Sequence, residues 1–228
     1  MNIKNSDKVL EIGPGAYPYW RSDVLADKFD SNDEVDLTQF GGKALNTKGK
    51  PLYKIIDNKL PFEDKEFDYT ICSHVLEHVP AYDLPMLIKE IMRVSAKSYI
   101  EFPRPMYDFV YNFEVHLNLL DIVSGEIVCI SKENTNINFL KRFQDYSLYL
   151  RKRNLFSIEE PFLPLIAVGY EFTDKIPLRI VKSEDEFWEI IYSNDYFIES
   201  PSYFWRLKNK INLGRLFRAL NKKNSNNQ

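Results

Sequence analysis

A few residues in the first half of the sequence could bind a ligand by their type and spacing. Gly13 and Gly15 follow the apolar stretch 9–12, and glycines there let the backbone approach a ligand closely because they have no Cβ. Asp27 ends the next apolar stretch, where a carboxylate can accept hydrogen bonds from both hydroxyls of a ribose. Together these residues predict a site for a nucleoside cofactor.

The glycines do not complete the fingerprint of a dinucleotide site. That fingerprint, G-x-G-x-x-G, requires a third glycine, and Pro18 stands at its position. Pyrophosphate recognition is therefore disfavoured, and a nicotinamide oxidoreductase is the weaker hypothesis. Glu11, just before the loop, instead suits a cofactor that carries an ammonium and a sulfonium group.

These residues need a sheet to bring them together. Apolar stretches predict strands over 8–12, 23–27, 53–56, 67–72 and 98–102, with an amphipathic helix over 84–92. Strands that alternate with helical or loop segments favour a parallel sheet. Ligands bind such sheets at the carboxyl ends of the strands, which is where the candidate residues fall.

Two segments resemble a known family. Residues 9–15, V-L-E-I-G-P-G, are similar to the first motif of class I S-adenosylmethionine (SAM)-dependent methyltransferases. Residues 60–69 and 73–79 resemble the fourth-strand region of the type-11 methyltransferase group, and the matching order covers about 8–105. The resemblance implies an α/β fold with a Rossmann-like, seven-stranded, mostly parallel sheet, helices on both faces, and SAM as the cofactor.

The resemblance also implies which residues hold SAM. They fall into four groups: the methionine end lies against Glu11, Gly13 and Gly15, the ribose against Asp27, the adenine against Asp57 and Asn58, and the strand-four side against Ser73 and His74.

One departure from the family concerns the first crossover. Only 12 positions separate Gly15 from Asp27, too few for the helix that the family has there. We expect a turn or a single helical turn instead, with Tyr17, Tyr19 and Trp20 covering the part of the sheet left open.

The second half of the chain predicts further strands. Residues 117–123 and 126–131 predict a hairpin, part of an insertion over about 114–132. The resemblance implies that strands six and seven close the main sheet, with strand seven antiparallel, and residues 162–172 and 176–181 could fill those places.

Histidines are the candidates for catalysis. Methyl transfer needs a general base only when the acceptor is a hydroxyl or a protonated amine. His116 and His74 are the catalytic candidates, and the alternative for His116 is an ordinary loop or hairpin residue. His78 is expected to pack locally. Glu77 could orient His74 or be a solvated helix residue, and we favour the second interpretation. The spacing H-x-x-E-H over 74–78 could suggest a metal, but the methyltransferase motif explains it, and we expect no metal.

Bulk properties place limits on these hypotheses. With 228 residues and a net charge of −3, the chain fits one elaborated domain, and nucleic-acid binding is not expected. The surroundings of Cys72 and Cys129 predict buried, reduced thiols in a cytoplasmic protein. No targeting peptide is evident.

The C-terminal end has a different character. We expect a methyltransferase domain over 1–205, followed by a basic helix and disordered tail over 206–228. Seven basic residues and no acidic ones lie between Arg206 and Lys223. Such a helix could contact an anionic membrane surface or an acidic partner peripherally.

Two functions from different classes follow. The leading hypothesis is methyl transfer from SAM to a small-molecule or glycan-precursor acceptor, with the aromatic segment 107–111 as the floor of its pocket. The alternative is a non-catalytic SAM-fold scaffold that works as a partner subunit, which the short first crossover favours and the complete set of cofactor residues disfavours.

Overall fold

The computed structural model describes residues 1–29, 44–158 and 165–193. Within it, nine strands have these bounds: β1 Val9–Ile12, β2 Val24–Asp27, β3 Leu52–Lys54, β4 Phe67–Ser73, β5 Ser95–Pro103, β6 Asn118–Val123, β7 Glu126–Ser131, β8 Ala167–Thr173 and β9 Leu178–Val181. Four α-helices have these bounds: α1 Leu84–Val94, α2 Pro105–Tyr111, α3 Lys141–Lys152 and α4 Glu184–Tyr192.

The main sheet is mixed and mostly parallel. Its order is β3-β2-β1-β4-β5-β8, and every neighbouring pair is parallel except β5 with β8. All four residues of β1 are buried, as expected for a central strand of a parallel sheet covered on both faces. This order brings the carboxyl ends of β1, β2 and β4 side by side.

Helix α1 supplies much of the apolar core beside this sheet. Leu84, Leu87, Ile88 and Ile91 repeat at helical spacing, and all are buried in one cluster with side chains of β1, β4 and β5. Pro85 lies in the first turn, where its missing N–H costs no helical hydrogen bond. The predicted helix is confirmed and extends to Val94.

The prediction of a seven-stranded main sheet is wrong for the described residues, since that sheet has six strands. Strand β9, expected as strand seven, pairs in parallel with β7 in a separate three-stranded sheet of order β6-β7-β9. The antiparallel position beside β5 is taken by β8 instead. Residues 162–164 of the predicted strand lie outside the described residues.

The predicted hairpin is confirmed. Ser124 and Gly125 both have positive φ, +52° and +79°, as a tight two-residue turn between twisted strands requires. Side chains of β6 and β7 share the main apolar cluster with α1, so this sheet packs into the core of the domain.

The first crossover contains only turns, as the short interval predicts. Glu11 holds it in place: its Oε2 accepts hydrogen bonds from the Tyr19 backbone N–H (2.8 Å) and from Ser22 Oγ (2.6 Å). Tyr19 packs beside Val9 as expected. Tyr17 and Trp20 do not cover the sheet, since they are 64% and 74% exposed.

The boundaries of the chain's units are only partly described. Residues 1–191 form one compact unit. The boundary expected at 205 and the basic segment 206–228 lie outside the described residues, so both stay predictions. No helix in the described part is both long and apolar enough to cross a membrane.

A buried ion pair ties the end of β5 to the second sheet. Arg104 Nη1 lies 2.9 Å from Asp121 Oδ1, and both side chains are buried. We expect Asp121→Ala to lower the free energy of unfolding by roughly 3–5 kcal/mol, because it leaves a buried guanidinium without this carboxylate. Chemical denaturation measures the change.

The exposed pair Arg179–Glu126 on the same sheet provides the control. Glu126→Ala should cost less than about 1 kcal/mol, because exposed ion pairs contribute little. Equal losses in the two variants would contradict a structural role for the buried pair.

Candidate functional site

A cavity of about 430 Å³ opens at the carboxyl ends of β1, β2 and β4. Its volume lies within the range usual for small-molecule sites, about 300–1,000 Å³. The predicted cofactor residues that line it are Glu11, Gly13, Gly15, Asp27, Asn58, Ser73 and His74. The structure thus brings together all the predicted cofactor residues except Asp57.

Position 13, beside this cavity, requires a glycine, because any side chain there would be strained. Its φ is +65°, and a Cβ on it would lie 2.4 Å from Val75 Cγ2. Its N–H donates to the Ala26 carbonyl (2.8 Å), which fixes the loop against the end of β2. The loop backbone therefore passes close to the cavity with no side chain in between.

Asp27 has a carboxylate oxygen ready for a ligand. Oδ1 accepts the Phe29 N–H at 3.1 Å, whereas Oδ2 is buried and has no hydrogen-bond partner in the described part of the chain. Burial raises the pKa of this carboxyl. A pair of ribose hydroxyls would satisfy the orphaned oxygen, so the site fits a nucleoside.

Glu11 lines the same cavity but already has a structural partner. Its Oε2 is occupied by the Tyr19 N–H and the Ser22 hydroxyl, and burial raises the pKa of its carboxyl. One carboxylate oxygen of Glu11, a residue expected to face a cationic cofactor, thus holds the shortened crossover in place.

Asp57 and Asn58 form the two-residue turn of a small antiparallel bridge between Ile56 and Lys59. Both have positive φ, +51° and +56°, and Asp57 is exposed. Asn58 and the apolar Ile55 line the cavity, whereas Asp57 does not. The predicted contact from Asp57 is therefore not supported, because successive residues of a tight turn face different ways.

His74 lies between two carboxylates. Its Nδ1 is 3.2 Å from Glu77 Oε1, and its Nε2 is 3.5 Å from Glu101 Oε1. The His74 side chain is about half exposed, and its partial burial disfavours the charged ring. The hydrogen bonds and charges of Glu101 and Glu77 outweigh that effect and raise the pKa of His74 to about 10. A ring that stays protonated at neutral pH is unsuited to the role of general base, which argues against His74 in that role.

Glu101 is held by three neighbours. Besides His74, it accepts hydrogen bonds from Ser73 Oγ (2.8 Å) and the Tyr99 hydroxyl (2.5 Å). The hydrogen bond from His74 contributes most to lowering the pKa of Glu101 to about 2, against the effect of burial. Ser73 thus lines the cavity while its hydroxyl is anchored to β5.

A second, larger cavity of about 1660 Å³ adjoins the first. The two share His74 and His78 in their linings. Aromatic rings line part of the larger one, including Tyr107 and Tyr111 from the segment expected to form a pocket floor. Phe109 of that segment packs against Trp188 instead.

His116 lies in the larger cavity with its orientation fixed. Its Nδ1 is 2.8 Å from Asp108 Oδ2, and Asp108 Oδ1 accepts a hydrogen bond from Lys132 Nζ at 3.1 Å. A carboxylate beside Nδ1 holds the proton there, which leaves the lone pair on Nε2. No local sequence pattern indicates Asp108, because this contact joins helix α2 to a loop eight residues later.

Two expectations about neighbouring residues are wrong. Glu77, expected to be solvated, is 1% exposed in the 3-10 turn Leu76–His78. His78 does more than pack locally: it lines both cavities, its Nδ1 is 2.8 Å from the Val115 carbonyl, and its ring centroid is 5.0 Å from that of His116. Burial lowers the pKa of His78. The loop contact at Val115 lies 37 residues beyond His78 in the chain, so no local pattern reveals it.

Residues 43–100 match the sequence model of a family described as a methyltransferase domain. The match spans β3, β4, α1 and part of β5, and it includes the segment 60–79. The first glycine motif lies outside it, so the assignment of that motif rests on the cavity geometry. No curated protein matches the sequence.

Several solved structures are similar over part of the chain. A Pyrococcus horikoshii protein is 21% identical, with a TM-score of 0.34, over 43% of this chain and 47% of its own. A Bacillus subtilis protein is 20% identical, with a TM-score of 0.34, over 49% and 52%.

A SAM-dependent methyltransferase from Methanosarcina mazei is 19% identical, with a TM-score of 0.33, over 54% and 69%. The chain spans about half the length of the first two proteins. At TM-scores this low the superpositions carry no argument.

The cavity geometry predicts how two variants affect SAM binding. If Asp27 accepts two charge-assisted hydrogen bonds from the ribose hydroxyls, each contributing about 1.5 kcal/mol, Asp27→Ala should lower SAM affinity about 100-fold. Gly13→Ala should weaken binding comparably, since its Cβ meets Val75 at a positive φ. Isothermal titration calorimetry measures both.

Asp57→Ala is the matched control, because that exposed carboxylate lies off the cavity. It should keep SAM affinity within about twofold of the wild-type value, a change too small to report a lost hydrogen bond. Undiminished affinity in the Asp27 or Gly13 variant would rule out this cavity as the SAM site.

The charged state of His74 predicts a pH-dependent stability. Its folded pKa of about 10 lies above the unpaired value of 6.5, so its contribution is complete below pH 6.5 and is lost as the pH rises towards 10. The difference in Tm between wild type and His74→Gln should therefore shrink over that interval. A difference that is constant from pH 6 to pH 10 would contradict the ion-paired state.

Proposed function

We propose that this chain, which carries a class I SAM-dependent methyltransferase domain, transfers a methyl group from SAM to a small-molecule or glycan-precursor acceptor. Its family match and its mostly parallel sheet provide the premise. The observation that carries the proposal is the junction of two cavities at His74 and His78. The smaller cavity has side chains suited to a nucleoside cofactor, and the larger cavity has room for an acceptor.

The residues that line the smaller cavity fit the ribose and the methionine part of SAM. Asp27 would hold the ribose hydroxyls through its unpaired Oδ2, and Gly13 and Gly15 would let the backbone lie along the methionine part. Asn58 and Ile55 line the same cavity and would border the adenine. SAM supplies a methyl group on a sulfonium, so much of the protein's work is to hold the two reactants in line.

The acceptor class is inferred from the lining of the larger cavity. Tyr107 and Phe113, which are both partly exposed, offer flat apolar faces on which the C–H face of a sugar or a ring of a metabolite can pack. Asn112, Asn138 and other polar side chains of the same cavity could pair with hydroxyl groups. At about 1660 Å³, the space exceeds what a single small ring needs, which favours a glycan precursor.

His116 is the residue we expect to act on the acceptor. The Asp108 contact leaves its Nε2 with the lone pair, and the ring lies beside His78 at the boundary between the cavities. It could therefore accept the proton of an acceptor hydroxyl or ammonium as the methyl group is transferred. His74, already protonated, would instead serve to fix the wall between the reactants.

We expect His116→Ala to lower kcat about 100- to 10,000-fold, the usual contribution of a general base, while SAM affinity stays within about twofold. Asp108→Asn should also lower kcat, because the ring loses the carboxylate that fixes its tautomer. The assay is methyl transfer from radiolabelled SAM to an acceptor found by screening sugars and metabolites. Wild-type turnover in a folded His116→Ala protein would make the residue structural only.

A non-catalytic scaffold is the second candidate, and the shortened first crossover is the observation that favours it. Calorimetry with SAM and with S-adenosylhomocysteine separates the two functions, since a pure scaffold should give no saturable heat with either. Mass spectrometry of any ligand that co-purifies with the chain would identify an endogenous cofactor or acceptor independently.

A cytoplasmic location belongs to the proposal, supported by the free, buried thiols of Cys72 and Cys129. A peripheral contact of residues 206–228 with an anionic membrane or an acidic partner also stays a proposal. Unchanged sedimentation with anionic liposomes after deletion of that segment would exclude the membrane contact.

A further inference from the structure

Three side chains that could bind a metal ion converge in the larger cavity. Glu77, His78 and His116 each offer one ligand atom, and these atoms all lie within 4.8 Å of one another. Two of the residues come from the turn after β4, and the third comes from the loop before β6. All three contribute to the cavity lining.

The hydrogen bonds of the two histidines leave the correct nitrogen for a metal. His78 Nδ1 is bonded to the Val115 carbonyl and His116 Nδ1 to Asp108, both at 2.8 Å. Each acceptor oxygen holds the proton on Nδ1, so Nε2 carries the lone pair in both rings. Histidines that ligate a metal nearly always donate their other N–H to a carboxylate or a backbone carbonyl in this way.

Glu77 provides the negative charge and an unfilled bonding position. Its side chain is 1% exposed, and its Oε2 is buried without a hydrogen-bond partner in the described part of the chain. Oε1 faces the His74 ring. The same Oε1 lies 4.0 Å from His78 Nε2, which is too far for a hydrogen bond. A buried carboxylate oxygen without a partner is costly unless a ligand satisfies it.

We propose that Glu77, His78 and His116 bind a divalent transition-metal ion, with Zn²⁺ as the ion that best suits the ligands. Two imidazoles and one carboxylate are a known catalytic zinc set, and three protein ligands leave the fourth position open to the cavity. Neighbouring ligand atoms around Zn²⁺ stand about 3.4 Å apart when bonds are about 2.1 Å, so the side chains close by roughly 1 Å on binding.

The position of this site gives the ion a place in the reaction. An acceptor oxygen or nitrogen in the open position would be held next to the cofactor cavity, because His78 lines both spaces. That role rests on the proposed methyl transfer, whereas the binding of the ion does not. With the ion bound, His116 would act on the acceptor as a ligand of the metal rather than as a free base.

Binding is tested on the full chain after treatment with a chelator. Titration with Zn²⁺ by calorimetry should show one ion per chain. Co²⁺ should give the visible absorption of a nitrogen- and oxygen-ligated site without the intense thiolate band that Cys72 or Cys129 would produce. His78→Ala and His116→Ala should each weaken Zn²⁺ binding at least about 100-fold, since each removes a ligand.

Two further variants sharpen the test. Asp108→Asn should weaken Zn²⁺ binding about 10- to 100-fold, because it removes the partner that orients His116. Glu77→Gln should weaken binding as well. Glu114→Gln is its matched control, since Glu114 is an exposed carboxylate of the same cavity and stands outside the cluster.

Thermal unfolding establishes that each variant is folded, and glutamine replaces alanine wherever it is not. Histidine side-chain NMR of the wild-type protein gives a readout without mutation: Zn²⁺ should shift Nε2 of His78 and His116. The proposal is overturned if Zn²⁺ shows no saturable one-to-one binding, or if such binding persists in both histidine variants.

The metal site and the methyltransferase function fail separately. SAM affinity of the metal-free chain is measured in the same calorimeter. SAM binding without Zn²⁺ binding would contradict the metal-site proposal alone. Zn²⁺ binding without SAM binding would contradict the proposed methyltransferase function and support the metal site.

Discussion

His74 lies between the carboxylates of Glu77 and Glu101, and its backbone takes a left-handed conformation, with φ +55°, to reach them. Its N–H also donates to the Glu101 carbonyl at 2.9 Å, so both the chain and the ring are tied to β5. This fixes the turn after β4. That turn presses Val75 against Gly13 and carries Glu77 and His78 into the larger cavity. The loop that carries Gly13, the wall between the cavities and the candidate ion site therefore all contact the same turn.

Much of this arrangement could be predicted from the sequence because its signals are local. The central strands β1, β2 and β4 and the helix α1 begin and end within about two residues of their predicted bounds, a normal uncertainty for element ends. The cofactor residues converge because the carboxyl ends of neighbouring parallel strands meet at one edge of the sheet. Knowing that Gly13, Asp27 and Ser73 each lie at the carboxyl end of a strand was enough to place them together.

The remainder depended on contacts that no local pattern records. Strand β9 was recognisable as a strand, but its partner was not, because periodicity describes one strand and not its neighbour. Glu77 has the sequence context of a solvated helix residue, yet its side chain is 1% exposed in the folded chain. The Asp108–His116 contact likewise arises from how α2 packs. Asp57, predicted to face the adenine, lies outside the cavity lining for a different reason: a tight turn reverses the chain between Asp57 and Asn58.

The order in which the chain visits the two sheets has its own consequence. After β5 it leaves the main sheet for β6 and β7, returns to place β8 against β5, and departs again to add β9 beside β7. The hairpin therefore cannot be deleted without affecting the second sheet. Removing β6 and β7 would leave β9 without its hydrogen-bonding partner, and an unpaired strand edge promotes aggregation. Both sheets have to assemble together, so neither can be grafted, trimmed or exchanged on its own.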